Sequence, residues 1–216
     1  MKKSLDTKKL VLLAMFAAIA YISVALIRIP VVLFLSYEPK DVIIAVGSFL
    51  FGPLYGLVIS LVVSLVEMVT ISSTGPIGAL MNFLSSSCFA CVAGVIYKRH
   101  HTQKGALAGL LGGSVVMIAV MLLWNWLITP LYMDVPRQAI EQMLLPTFLP
   151  FNALKAGLNT AITLFLYKPL VIALRKAHLL EGTSSAKASF KPGLYAIAIL
   201  LLATCVLLYL VLTGAL

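Results

Sequence analysis

Asn152, Lys155 and Asn159 are spaced i, i+3 and i+7, which places a lysine and two carboxamides on one face of a helix. They interrupt a segment, residues 150–174, that is otherwise largely apolar. An ammonium has three donors, and each carboxamide has both donors and acceptors, so the stripe can hydrogen-bond a polar solute. It does not face lipid, because polar groups in hydrocarbon turn toward a cavity or a partner. Two readings stay open. The stripe is a ligand site, or it is a structural network with Lys155 paired to Glu67 or to backbone carbonyls.

A second group lies at 124–133, where Trp124-Asn125-Trp126 is followed by Thr129-Pro130-Leu131-Tyr132-Met133. Tryptophans at a membrane interface are belt anchors, and at least one of this pair takes that role. Asn125 falls near the outer end of its helix, level with Asn152 on the other. Aromatic faces beside amide and ammonium donors suit a flat heterocycle carrying carbonyls, ring nitrogens and a hydroxylated chain. Asn82 adds a further amide on a third helix. Ser85, Ser86 and Ser87 read as hydroxyls bonded to nearby backbone carbonyls. Glu67 is either partnered or open to water near the outer face.

Other chemistry has no foundation in the chain. No G-x-x-x-x-G-K-[ST] phosphate loop, H-E-x-x-H or G-x-S-x-G motif occurs. His100, His101 and His178 all fall in loops. Cys88-x-x-Cys91 has no second pair or nearby histidine to hold a metal, and reads as helix packing. An enzyme is not expected, nor a metal or a cofactor.

The elements that position these residues are membrane helices. Of 216 residues, 62% are hydrophobic and 11% charged, and the mean hydropathy is +1.08. A net charge of +9 suggests nucleic acid only until its distribution is examined, because the basic residues sit in short tracts beside apolar runs. A spanning helix needs about 20 apolar residues. Spans are expected at 10–29, 54–71, 77–97, 106–128, from 146 or 150 to 174, and at 194–212. The first follows a basic start and continues too far for a cleaved leader. Its Ala14 and Ala18 are one turn apart, a spacing that permits close helix approach. Between Pro39 and Gly52-Pro53 the apolar run is about half a bilayer long, so that helix either begins inside the preceding loop or is short and tilted. Seven helices with the amino terminus inside place twelve of the sixteen basic residues on the cytoplasmic side and only Arg28, Lys40 and Arg137 outside. That bias supports the count, the cytoplasmic amino terminus and an extracellular carboxyl terminus.

Over residues 8–175 the chain resembles the substrate-binding S components of energy-coupling factor (ECF) vitamin transporters, most closely the riboflavin-specific ones. The resemblance rests on the alanine-rich first helix, on Phe34-Leu35-Ser36-Tyr37-Glu38-Pro39-Lys40-Asp41, and on Phe51-Gly52-Pro53-Leu54-Tyr55-Gly56. It continues through Gly75-Pro76-Ile77-Gly78-Ala79, Trp124-Asn125 with Thr129–Met133, and the run from Leu149 to Gly157. It implies a six-helix membrane domain over 1–175 that captures riboflavin from outside and docks on a transmembrane coupling subunit driven by two cytoplasmic ATPases. Asn125, Asn152 and Lys155 would hydrogen-bond the flavin, with Asn82 and Trp124 beside them, and Ser36 and Tyr37 would help cover it. Ala14 and Ala18 would meet the coupling subunit. A cytoplasmic loop at 176–191 and an added helix at 192–216 depart from the six-helix pattern. The rival readings are an S component for a different vitamin heterocycle and a stand-alone secondary transporter.

Overall fold

The computed structural model describes residues 7–72, 74–176 and 192–214. Apart from Lys176, the loop expected at 176–191 lies outside them.

The chain is an all-α membrane bundle with one small hairpin. Its elements are α1 (Thr7–Leu26), β1 (Ile29–Val32), β2 (Leu35–Tyr37), α2 (Lys40–Phe51), α3 (Pro53–Thr70), α4 (Gly75–Arg99) and α5 (Gln103–Leu127). There follow α6 (Thr129–Met133), α7 (Arg137–Met143), a π-turn at Leu144–Phe148, α8 (Leu149–Lys176) and α9 (Pro192–Leu212). Among the described residues, six helical stretches are long and apolar enough to cross a membrane, and the embedded α2 is not one of them. At ~1.5 Å per residue its 12 residues reach only about 18 Å.

Short α2 survives because it is enclosed. It packs on α1, α3, α4 and α8, and Val42, Ile44, Ala45 and Val46 are essentially inaccessible. A helix apolar on all sides belongs in an interior. It ends at Gly52, whose φ of 106° lies in the region glycine tolerates best, and Pro53 then opens α3 with its fixed φ. Of the two readings of residues 42–51, the short helix is the one found, extended by Lys40 and Asp41 at its amino end.

Helices α4 and α5 approach closely through Gly109 and Gly113. A Cβ at Gly109 would stand 2.7 Å from the Ala93 carbonyl oxygen, and one at Gly113 would collide with that of Phe89. This is small-x-x-x-small packing between membrane helices. Ser114 of α5 and Thr160 of α8 add a 3.1 Å hydroxyl pair.

The segment expected as an irregular loop contains an antiparallel hairpin, with Ile29 opposite Tyr37 and Pro30 opposite Ser36. Its turn puts Leu33 at φ 53°, an unusual conformation for a branched side chain. The sixth span has a broken start: α7 and the π-turn carry Pro146 before α8 begins.

Candidate functional site

At the hairpin end of the bundle, a cavity of about 540 Å³, counting the part open to the outside, lies between β2, α4, α5 and the start of α8. Ser36, Asn82, Asn125, Asn152 and Lys155 line it together. Phe34, Leu35, Met81, Met121 and Phe151 supply apolar walls, and Arg28, Glu38, Thr74 and Ser85 complete the lining. Polar groups on apolar walls can orient a ring system while its faces are desolvated.

The helix geometry explains the convergence. The i, i+3, i+7 stripe on α8 points into the bundle, where Asn152, Lys155 and Asn159 are all buried. Lys155 Nζ lies 3.1 Å from Asp41 Oδ2 and donates to Ser85 Oγ at 3.2 Å. With those two acceptors engaged among the described residues, an ammonium retains a third donor for the cavity. Asp41 also accepts from Ser86 Oγ at 2.5 Å and from Asn159 Nδ2 at 3.1 Å. The inner part of the stripe is therefore a network and the outer part faces the cavity. The network reading holds for Lys155 and Asn159, with Asp41 as the partner.

The partner of Lys155 is Asp41, not Glu67. Glu67 instead accepts from Lys40 Nζ at 2.5 Å and from Asn82 Nδ2 at 3.1 Å. The physical reason is that Lys40 and Asp41 form the first turn of buried α2 instead of lying in an outer loop. There the helix dipole favours the Asp41 carboxylate. Lys40, completely buried, also meets Glu38 at 2.7 Å, and Glu38 meets Arg28 at 3.3 Å. Arg28, Glu38, Lys40 and Glu67 thus form a chain of alternating charge from the mouth of the cavity inward.

The amides are held in place. Asn152 donates to the Phe148 carbonyl at 2.7 Å. Asn125 donates to the Met121 carbonyl at 2.7 Å and accepts from Thr129 Oγ1 at 3.0 Å. Pro146 and the π-turn set where α8 starts, and so the height of Asn152.

Two of the expected residues stand apart. Trp124 lines an adjoining apolar recess with Ile77 and Ile128, which shares Phe34, Thr74 and Met81 with the main cavity. Successive strand residues face opposite ways; Ser36 lines the cavity while Tyr37 is buried in an apolar cluster with Phe148, Leu154 and Cys205. Burial, then Asp41 and Cys205, push its phenol well above the usual tyrosine range, and its hydroxyl has no hydrogen-bond partner among the described residues.

Sequence reasoning missed Arg28, Glu38, Asp41 and Ser85. The available signal was the dense charge run Glu38-Pro39-Lys40-Asp41 directly before a segment too short to span. Ala14 and Ala18 are exposed on the outer face of α1, away from the cavity. Cys88 and Cys91 are free thiols, and Cys91 donates to the Pro53 carbonyl at 3.3 Å.

The chain is 28% identical over 180 residues to the riboflavin transporter RibU of Staphylococcus aureus (strain TCH60), covering 79% of this chain and 94% of that one. It is 25% identical over 190 residues to the riboflavin transporter FmnP of Bacillus subtilis (strain 168), covering 81% of this chain and all of the relative. A solved structure, described as the S component of a bacterial ECF transporter, superposes with a TM-score of 0.67 at 28% identity, covering 78% of this chain and 98% of that one. Residues 8–167 match the family described as "ECF transporter, substrate-specific component". This multi-pass membrane chain belongs to that family, as a substrate-specific component of an ECF transporter.

Proposed function

We propose that this S component captures riboflavin from outside the plasma membrane and hands it to a separate transmembrane coupling subunit powered by two cytoplasmic ATPases. The observation that carries the reading is the meeting of Lys155, Asn125, Asn152 and Ser36 in one cavity with Phe34 and Phe151 among its walls. Carbonyls and ring nitrogens of a flavin match amide and ammonium donors, and the ribityl hydroxyls match the polar rim of Ser36, Glu38 and Arg28. The names of the two relatives support the same cargo. The charge bias of the loops supports a cytoplasmic amino terminus, with the cavity outside and α9 ending there.

Titration of the purified full chain with riboflavin is expected to quench flavin fluorescence to a saturating endpoint at one flavin per chain. A chain that leaves flavin fluorescence unchanged, and releases a different vitamin on extraction and mass spectrometry, would show that the cargo is wrong.

Docking is tested separately. Ala14 and Ala18 give α1 a shallow outer stripe beside Val11 and Ile22, which are 63% and 51% exposed. Ala14→Trp adds a bulky ring where small residues permit close approach. It should abolish uptake by the assembled transporter while flavin affinity stays within about twofold of the parent. Normal uptake by this variant would remove α1 from the docking face.

A further inference from the structure

Helix α9 lies beyond the residues that match the family, 8–167. Most of its surface is exposed, as a lipid-facing helix requires, but one stripe is covered. Ala198, Leu201, Cys205, Leu208, Tyr209 and Leu212 recur at helical spacing and pack inward. Gly157 of α8 permits this approach, since a Cβ there would stand 2.5 Å from Cys205 Sγ.

The outer half of the stripe does not stop at α8. Cys205 is buried in the same cluster as Val31, Leu35 and Tyr37 of the hairpin, and Leu208, Tyr209 and Leu212 pack against that cluster. Helix α9 also touches β1 directly. The opposite side of the hairpin presents Ser36 to the cavity. The hairpin is therefore held between the cavity and α9.

Support from behind matters for this hairpin. Two strands alone are marginal, β1 contains Pro30 with a register irregularity between Pro30 and Val32, and Leu33 occupies a left-handed turn. Little in its own backbone would keep it in one position.

We propose that α9 is a built-in brace that holds the hairpin against the cavity and slows ligand release, with Tyr209 and Leu212 as positioning residues. The proposal rests on the flavin-binding reading above. Helix α9 acts through the hairpin and touches no ligand.

The test compares the full chain with Tyr209→Ala/Leu212→Ala and with Tyr209→Phe/Leu212→Met. Riboflavin release and association are followed by flavin fluorescence, and amide hydrogen exchange of residues 29–37 is measured without ligand. The alanine pair should release riboflavin on the order of tenfold faster, with little change in association rate. Its hairpin amides should exchange faster while those of α4 and α5 do not. The Phe/Met pair, which retains apolar volume, should restore both readings. Unchanged release and unchanged hairpin exchange in the alanine pair would overturn the brace, as would faster exchange throughout the bundle. If the full chain binds no riboflavin, the flavin reading fails. Hairpin exchange alone then decides the brace: faster exchange confined to 29–37 supports it, and no change overturns it.

Discussion

Lys155→Ala is expected to weaken riboflavin binding by roughly one to two powers of ten, because a hydrogen bond to a charged group contributes about 1.5–3 kcal/mol. Lys155 has two tasks, and the variant disturbs both. It removes a donor from the cavity and leaves Asp41, which is inaccessible to solvent, without the ammonium 3.1 Å away. Breaking one side of a buried ion pair destabilises by about 3–5 kcal/mol. Part of any lost binding could therefore come from a damaged fold. Adding Asp41→Asn separates the two effects. The double variant neutralises the stranded carboxylate and keeps a group that can bond Ser86 and Asn159. It should recover most of the thermal stability lost in Lys155→Ala but not the affinity. Recovery of both would mean that Lys155 holds the bundle together and does not hold the ligand. A double-mutant cycle is the appropriate measure, because residues in one network are not additive.

Part of this arrangement is legible in the sequence, and the limits have physical causes. Helix periodicity is strong over a long span, so Asn152, Lys155 and Asn159 could be placed on one inward face. Hydropathy located the long spans for the same reason. Asp41 was not recognisable as the partner of Lys155. It is 114 positions away, and charges beside a short apolar run resemble an ordinary solvated boundary. What made the difference was tertiary: α2 is enclosed by four helices, so its first turn is buried as well. The hairpin was also obscure. Ile29–Val32 has β-branched residues, but it contains a proline and turns at Leu33-Phe34, without the Asn-Gly or Gly pair that marks a tight hairpin. The family resemblance implies that Ser36 and Tyr37 help cover the site, but the opposite facing of the two depended on recognising a strand. Trp124 was grouped with Asn125 by adjacency, whereas neighbours on a helix are about 100° apart, and it faces the side recess instead.

Lys40→Met should be the most destabilising single change in the chain of charges at the cavity mouth. Lys40 lies between Glu38 at 2.7 Å and Glu67 at 2.5 Å with no solvent exposure, so its ammonium neutralises two carboxylates at once. Replacing it with methionine retains most of the volume and removes the charge. Glu38 keeps Arg28, and Glu67 keeps only the Asn82 amide among the described residues. The expected loss is about 3–5 kcal/mol, the usual result of stranding a buried partner. Adding Glu67→Gln removes the stranded charge while preserving an acceptor for Asn82, so Lys40→Met/Glu67→Gln should be more stable than Lys40→Met alone. Thermal unfolding in detergent, with and without riboflavin, checks this ordering. Were Lys40→Met as stable as the parent, the charge chain would contribute nothing to the position of Glu38 at the cavity. Flavin affinity provides the second reading. Glu38 lines the cavity and Glu67 lies behind it, so a stability-restored double variant that still binds poorly would place the function of Lys40 in orienting Glu38.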